Sequence, residues 1–388
     1  MKFRYDGEEY DFSFPRKERK VGVGHRGFDI SCDGSLSFKE ASLRRDFTIN
    51  AMGYDIEKDE FLDPYGAKKD MKEKLLRHIN SKTFIEDPLR VYRAIQFCAR
   101  FEYRLDADTF KLCKYMVEQG MLDELPKERI YEEFKKLLLK SSKPSIGFEL
   151  MRALGIVKRY YPELYAIIDV PQSKIWHPEG DVWVHTLMCV DKMATLKTGE
   201  DKQDLKMMFG VLCHDFGKAT HTQIYPDKIS AIGHEKAGVE PTQRFLYRLS
   251  DEHDFIQSIL PLVRYHLAPS SYFRNGAKNS TIRRLSTKVN IEELVMVARA
   301  DFLGRTTEAS LRGDYEAGDW LLRKAKELDV YTQPPKPLLQ GRDLIALGYQ
   351  PSKKFKEMLD SVYLNQIEGD IRTKEEAIRY INSLEKQS

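Results

Sequence analysis

Apolar and charged residues alternate over the opening stretch: Phe3, Tyr5, Tyr10, Phe12 and Phe14 are spaced by Lys, Arg, Glu, Asp and Ser. A period of two is the spacing of side chains on one face of a strand, and Asp6-Gly7 suits a two-residue hairpin turn. The pattern predicts a hairpin here. A basic, glycine-rich loop follows, from Pro15-Arg16-Lys17-Glu18-Arg19-Lys20 to Gly22, Gly24 and Gly27. From about Ser37 onward the apolar positions take helical spacing, which persists to the C-terminus. Glu86-Asp87-Pro88-Leu89-Arg90-Val91-Tyr92-Arg93 starts a helix, with Asp87 as N-cap and Pro88 at the first helical position. Arg90 and Arg93, three apart, share a face of its first two turns. Asp108-Thr109-Phe110 reads as another helix start, and Thr373 as a cap further on. Pro171-Gln172-Ser173 and Gln333-Pro334-Pro335-Lys336-Pro337 are the best boundary signals. No low-complexity tract or repeat interrupts the pattern. The fold class is mainly α, with a small, incomplete β-containing element at the N-terminus.

Composition narrows this only slightly. A chain of 388 residues is long enough for two or more domains. Its formal net charge of +3 does not mark a nucleic-acid binder, so basic character must be local. The five cysteines have no CxxC spacing and sit mostly within apolar periodic segments. They read as buried thiols of a reducing compartment, neither disulfides nor a zinc site. No run is apolar enough to span a membrane and no signal-peptide pattern is present, so a cytoplasmic location with no membrane partner is expected.

Candidate chemistry falls into two groups. In Leu212-Cys213-His214-Asp215-Phe216-Gly217-Lys218 an adjacent His and Asp follow an apolar run, while His185, His234, His266 and Asp301 lie at long intervals around it. One histidine at an apolar position is usually a packed core residue. Four histidines and two aspartates in the order H…HD…H…H…D resemble the HD phosphohydrolase superfamily. Neutral imidazole with carboxylate suits a divalent hydrolytic metal. This predicts a primary metal site of His185, His214, Asp215 and Asp301, with His234 and His266 nearby for a second ion or a substrate phosphate. Lys218, one helical turn from His214, is the candidate catalytic cation that neutralises phosphate charge. The His-rich set favours nickel, cobalt or manganese over magnesium. The second group is Arg44-Arg45-Asp46-Phe47-Thr48-Ile49-Asn50-Ala51 together with the Asp87–Arg93 helix start. By itself it reads either as solvated charge or as an arginine fork with an acceptor carboxylate, fit for a nucleobase edge and a triphosphate.

These segments, with Glu9-Tyr10-Asp11-Phe12, Asp63-Pro64-Tyr65-Gly66 and Trp176-His177-Pro178-Glu179-Gly180-Asp181, resemble the bacterial tRNA nucleotidyltransferases of class II. These are the CCA-adding enzymes of the poly(A) polymerase family, here in the variant with a fused HD domain. The resemblance runs from the first residues to near Lys386. It implies a truncated nucleotidyltransferase head (1–80), a helical nucleotide-recognition neck (81–145), a body with the HD domain (146–332) and a helical tail (333–388). It also implies tRNA, CTP and ATP as partners and RNA 3′-end CCA addition as the reaction. Arg44 and Arg93 would contact nucleotide phosphates, and Asp87 and Arg90 would read the base edges of CTP and ATP without a template. Gln96 stands where many members carry a further arginine, which implies weaker nucleotide affinity.

The family's GGxVRD loop, and the DxD pair holding two Mg²⁺, do not precede the hairpin. The only DxD is Asp106-Ala107-Asp108, at a helix start; Asp11 and Asp29 in the head cannot replace a pair on one strand. Missing strands should leave an apolar face and a sheet edge exposed. The chain as written is therefore not expected to add CCA by itself. Either its start lies at an internal methionine of a longer protein, or it is a genuine remnant. The retained Arg44, Asp87 and Arg90 weigh weakly toward the former. The alternative functions are an HD metal-dependent phosphohydrolase on phosphomonoesters or 2′,3′-cyclic phosphates of RNA ends, and a non-catalytic tRNA-binding remnant. The Leu338–Lys356 segment resembles the family's tail helices and places basic residues beside a glycine-bounded turn, suited to tRNA phosphates or else to plain solvation.

Overall fold

The computed structural model describes residues 2–20, 22 and 28–385. The chain is mainly helical and forms two compact units. The first comprises Met1–Ile168 with Gly199–Leu205 and Arg244–Glu252; the second comprises Asp169–Thr198 with Lys206–Gln243 and His253–Ser388.

In the first unit, strand Lys2–Tyr5 pairs antiparallel with Glu8–Asp11. Asp6 (φ 50°) and Gly7 (φ 81°) both take positive φ, as a type I′ turn requires. The predicted hairpin is present, but it buries nothing: Phe3 and Tyr10 stack on a surface that also exposes Tyr5, Phe12 and Phe14. Arg16–Lys20 pairs antiparallel with Phe28–Cys32. The glycine-rich part of the loop between them, with Gly24 and Gly27, lies outside the described residues, as does Lys386. Helical structure begins where the spacing changes, at Phe38–Ser42, with Ser37 and Glu40 forming a capping box. Strands are not confined to the first fifty residues, however. Gly53–Asp55 pairs with Glu60–Leu62, and Leu75–Leu76 runs parallel to Leu105 and Arg104. These pairs are too short for a period of two to show against helical neighbours. Each sheet among the described residues has two strands.

The core of this unit is aromatic. Phe134 on helix Lys127–Lys140 lies edge-on to Tyr161, Phe148 and Phe245, and Phe47 lies edge-on to Phe84 and Phe97. Burying each such ring contributes on the order of 1.5–3 kcal/mol. This packing fixes helix Leu89–Phe101, whose start carries the arginine cluster. Asp87 does cap it: its carboxylate accepts the Leu89 N–H at 3.2 Å while Pro88 already has helical dihedrals.

In the second unit, helix Val182–Thr195 packs along Ile291–Leu303, which in turn packs on Glu316–Glu327. Trp183, Val190, Met193, Leu294, Val295 and Val297 are fully buried. His253–Tyr265 also packs against Ile291–Leu303. The chain therefore brings segments far apart in sequence to one buried centre. C-terminally, Leu339, Leu344, Val362, Ile371, Ala377 and Ile381 form a separate small core. Thr373 caps the last helix as expected, accepting the Glu376 N–H at 3.2 Å.

Candidate metal centre and arginine cluster

The six sequence-selected ligands of the second unit converge. His185 is on Val182–Thr195, His214-Asp215 follow Asp201–Cys213, His234 opens His234–Ala237, His266 follows His253–Tyr265, and Asp301 is on Ile291–Leu303. All six are buried. Asp215 lies at the middle: Oδ2 is 3.2 Å from His214 Nε2 and 3.8 Å from His185 Nε2, and Oδ1 is 3.2 Å from His234 Nε2 and 3.9 Å from His266 Nε2. His185 Nε2 lies 3.1 Å from Asp301 Oδ1.

Local backbone geometry sets the imidazoles. His214, His234 and His266 each place Nδ1 at 2.6–2.7 Å from the carbonyl three residues earlier, of Val211, Ala231 and Val263. A carbonyl can only accept, so Nδ1 carries the proton and Nε2 presents a lone pair to the centre. His234 Nε2 and His266 Nε2 then face each other at 3.3 Å. Two facing lone pairs repel unless a cation lies near them. Asp215 Oδ2 is met by Lys218 Nζ at 2.7 Å, while His214 Nε2 and Asp215 Oδ1 are buried without a hydrogen bond of acceptable geometry. Such groups normally cost about 1–3 kcal/mol each, a cost that ligation removes. The donor set and its orphaned atoms fit a divalent ion.

The electrostatics agree. Burial disfavours the His214 cation, but Asp215 and Asp301 outweigh it and raise His214 above its ordinary value. Burial and the neighbouring His214 and His234 push His266 down to about 3. Burial works against the Asp215 carboxylate, yet His214 and Lys218 hold it well below the usual range. The centre keeps its carboxylates charged and His266 neutral. Lys218 is where the sequence put it, with Nζ 2.7 Å from Asp215 Oδ2, and it also donates to Gln172 Oε1 at 2.7 Å. Gly217 allows the loop to close: a Cβ there would sit 2.0 Å from the His234 carbonyl oxygen.

Sequence reasoning missed four neighbours. Glu179 accepts from His185 Nδ1 at 2.7 Å and from the Thr306 N–H at 3.2 Å, and His177 lies 3.0 Å from the same carboxylate. Arg305 binds both Asp301 oxygens, at 2.8 and 3.0 Å. Its i,i+4 spacing to Asp301 was the available signal. Cys189, one turn after His185, lies beside these candidate ligands. His185, Cys189, His214 and Asp301 all offer ligand atoms within 4.8 Å of one another. The exposed Cys32 departs from the buried-thiol expectation; all five thiols are free.

In the first unit the arginine cluster is also assembled. Arg90 donates from Nη1 to the Thr83 carbonyl at 2.9 Å and from Nη2 to the Arg44 carbonyl at 2.6 Å. Two of its five donors are thus spent on backbone. Arg93 Nε pairs with the buried Asp46 at 2.6 Å, so Arg93 braces that loop in this conformation. Asp87 lies 3.5 Å from Arg129 as well as capping its helix. Gln96 is buried, which places it in the core. Asp106 and Asp108 are part of a helix start: Asp106 accepts from the Asp108 and Thr109 N–H groups at 3.2 Å and pairs with Arg77 at 2.8 Å. No helix among the described residues is long and apolar enough to cross a membrane.

Comparison with known proteins adds three matches along the chain. Residues 1–77 match the poly A polymerase head domain, 102–167 the probable RNA and SrmB-binding site of polymerase A, and 182–305 the HD domain. The multifunctional CCA protein of Mannheimia succiniciproducens is 34% identical over 317 residues, 78% of this chain and 73% of that protein. That of Xanthomonas euvesicatoria pv. vesicatoria is 35% identical over 356 residues, 89% and 81% respectively. The fold is similar to the Bacillus stearothermophilus CCA-adding enzyme in complex with CTP, at a TM-score of 0.57 and 17% identity, covering 100% of this chain and 82% of that one.

Proposed function

This chain belongs to the multifunctional CCA proteins, the class II CCA-adding nucleotidyltransferases with a fused HD domain, and we propose that it joins two activities on RNA 3′ ends. Its first unit supplies the nucleotide-recognition residues for CCA addition to tRNA from CTP and ATP, a reaction these residues are not expected to complete by themselves. Asp87 and Arg90 read the base edge, and Arg44 and Arg93 meet the phosphates. In the conformation described, Arg90 and Arg93 are tied to the Arg44–Asp46 loop, so nucleotide binding exchanges these internal bonds for ligand bonds. The second unit hydrolyses phosphomonoesters or 2′,3′-cyclic phosphates. The observation that carries this second activity is the burial of five His and Asp side chains around Asp215, with orphaned lone pairs directed at one another.

The residues divide the hydrolytic work. His185, His214, Asp215 and Asp301 would hold the primary ion, and His234 and His266 a second ion or the substrate phosphate. Nickel, cobalt and manganese suit this set better than magnesium. Bound there, a divalent ion supplies Lewis acidity for phosphate-ester hydrolysis. Glu179 and the three carbonyls keep Nε2 of each imidazole deprotonated and aimed inward. Lys218 and Arg305 supply positive charge beside the two carboxylates, where a phosphate dianion would sit.

Hydrolysis of 2′,3′-cyclic AMP and p-nitrophenyl phosphate, assayed with nickel, cobalt, manganese and magnesium, tests this second activity. Activity is expected with the first three ions and is expected to vanish in His214→Ala with Asp215→Ala. Absence with every ion, or an unchanged double variant, refutes it.

A further inference from the structure

The ligand group around His185 contains one donor outside the histidine–aspartate order. Cys189 follows His185 by four residues, so both project from one face of Val182–Thr195. It is fully buried, with Sγ 3.4 Å from His185 Nε2. Gly304 makes room for it: a Cβ there would lie 2.4 Å from Sγ and 2.8 Å from the Cys189 backbone nitrogen. His214 Nε2, in the same group, is buried without a hydrogen bond. Sγ is also 3.7 Å from His185 Nδ1, so it stands beside the ring, and a turn of the short side chain would bring it to an ion held at Nε2. With Zn–S of about 2.3 Å and Zn–N of about 2.0 Å in a tetrahedron, sulfur and nitrogen stand roughly 3.5 Å apart.

We infer that Cys189 is a further ligand of the primary centre, beside His185, His214, Asp215 and Asp301. The inference rests on reading that centre as a metal site. The thiol also lies 3.6 Å from the Asp301 carbonyl oxygen, to which it can donate. On ligation Sγ loses its proton to solvent and donates to the ion as thiolate. A thiolate softens the donor set, which favours zinc and cobalt over manganese and magnesium.

Cobalt(II) distinguishes this inference from the reading beneath it. Cobalt-loaded wild type is expected to show a near-ultraviolet thiolate-to-cobalt charge-transfer band together with weak visible ligand-field bands. Cys32→Ala and Cys213→Ala should keep both. Cys189→Ser and Cys189→Ala should lose the charge-transfer band, keep the visible bands and bind zinc at least ~10-fold more weakly in competition with a chromophoric chelator. Visible bands without charge transfer in wild type, or a charge-transfer band that survives both Cys189 variants, overturn the inference and leave the metal centre standing. No cobalt spectrum in wild type at all overturns the inference and the metal reading together.

Discussion

Glu179 carries two hydrogen bonds that no spacing rule connects: one oxygen takes His185 Nδ1 and the other takes the Thr306 N–H. Burial opposes its charge, but the bonds from His177 and His185 hold its carboxyl far below the usual range. Glu179→Gln keeps the shape and removes the charge that orients His185. Metal affinity should fall about 10–100-fold, measured by calorimetric titration with cobalt; unchanged affinity would make Glu179 a packing residue. Arg90 makes a parallel case in the first unit. Arg90→Ala removes a planar donor fork and should weaken CTP and ATP binding by on the order of 1–3 kcal/mol, with equal calorimetric affinity for wild type and variant counting against the assignment. At this scale the sequence was informative where chemistry is rare. Adjacent His214-Asp215 and the well-spaced histidines are poor core choices and stood out. Glu179 did not, because a carboxylate in a loop beside Pro178 and Gly180 looks like ordinary solvated charge.

Helices and turns were legible wherever a local rule applied. Asp6-Gly7 gave the hairpin, Ser37 marked the first helix, and Asp87 and Thr373 cap theirs, since each cap is decided within a few residues. What could not be read is how elements meet. The two-residue pairing of Leu75–Leu76 with Arg104 and Leu105 depends on chain nearly thirty residues away, and nothing local signals it. Gly217 illustrates the same gap within a recognised motif. It reads as a loop glycine, yet its φ is an ordinary −66°, and its smallness is needed because the His234 turn lies against it. Backbone atoms cannot swing aside as a side-chain tip can. Gly217→Ala should therefore destabilise by about 1–3 kcal/mol or more, seen as a lower midpoint in urea unfolding, and should weaken metal binding by displacing His234. A midpoint matching wild type would mean that the turn relaxes freely.

The proposed nucleotide-contacting residues and the candidate metal ligands lie in different compact units, so a variant in one should leave the readout of the other unchanged. No strand among the described residues carries a DxD, and Asp106 and Asp108 are committed to a helix start. These 388 residues assayed by themselves should incorporate no CMP into tRNA lacking its 3′ end; incorporation at the rate of a full-length homologue would disprove this. Phosphatase activity should be indifferent to the Arg90 variant. His185 and Asp301, in direct contact, are 116 residues apart in sequence. The centre cannot exist until the chain between them has organised, and closing so long a segment costs entropy before its contacts repay it. An ion bound there stabilises only what forms after the rate-limiting barrier. Stopped-flow experiments should accordingly find that saturating cobalt leaves the refolding rate of the second unit unchanged and slows its unfolding, so that metal prolongs the life of the folded state without hastening its arrival.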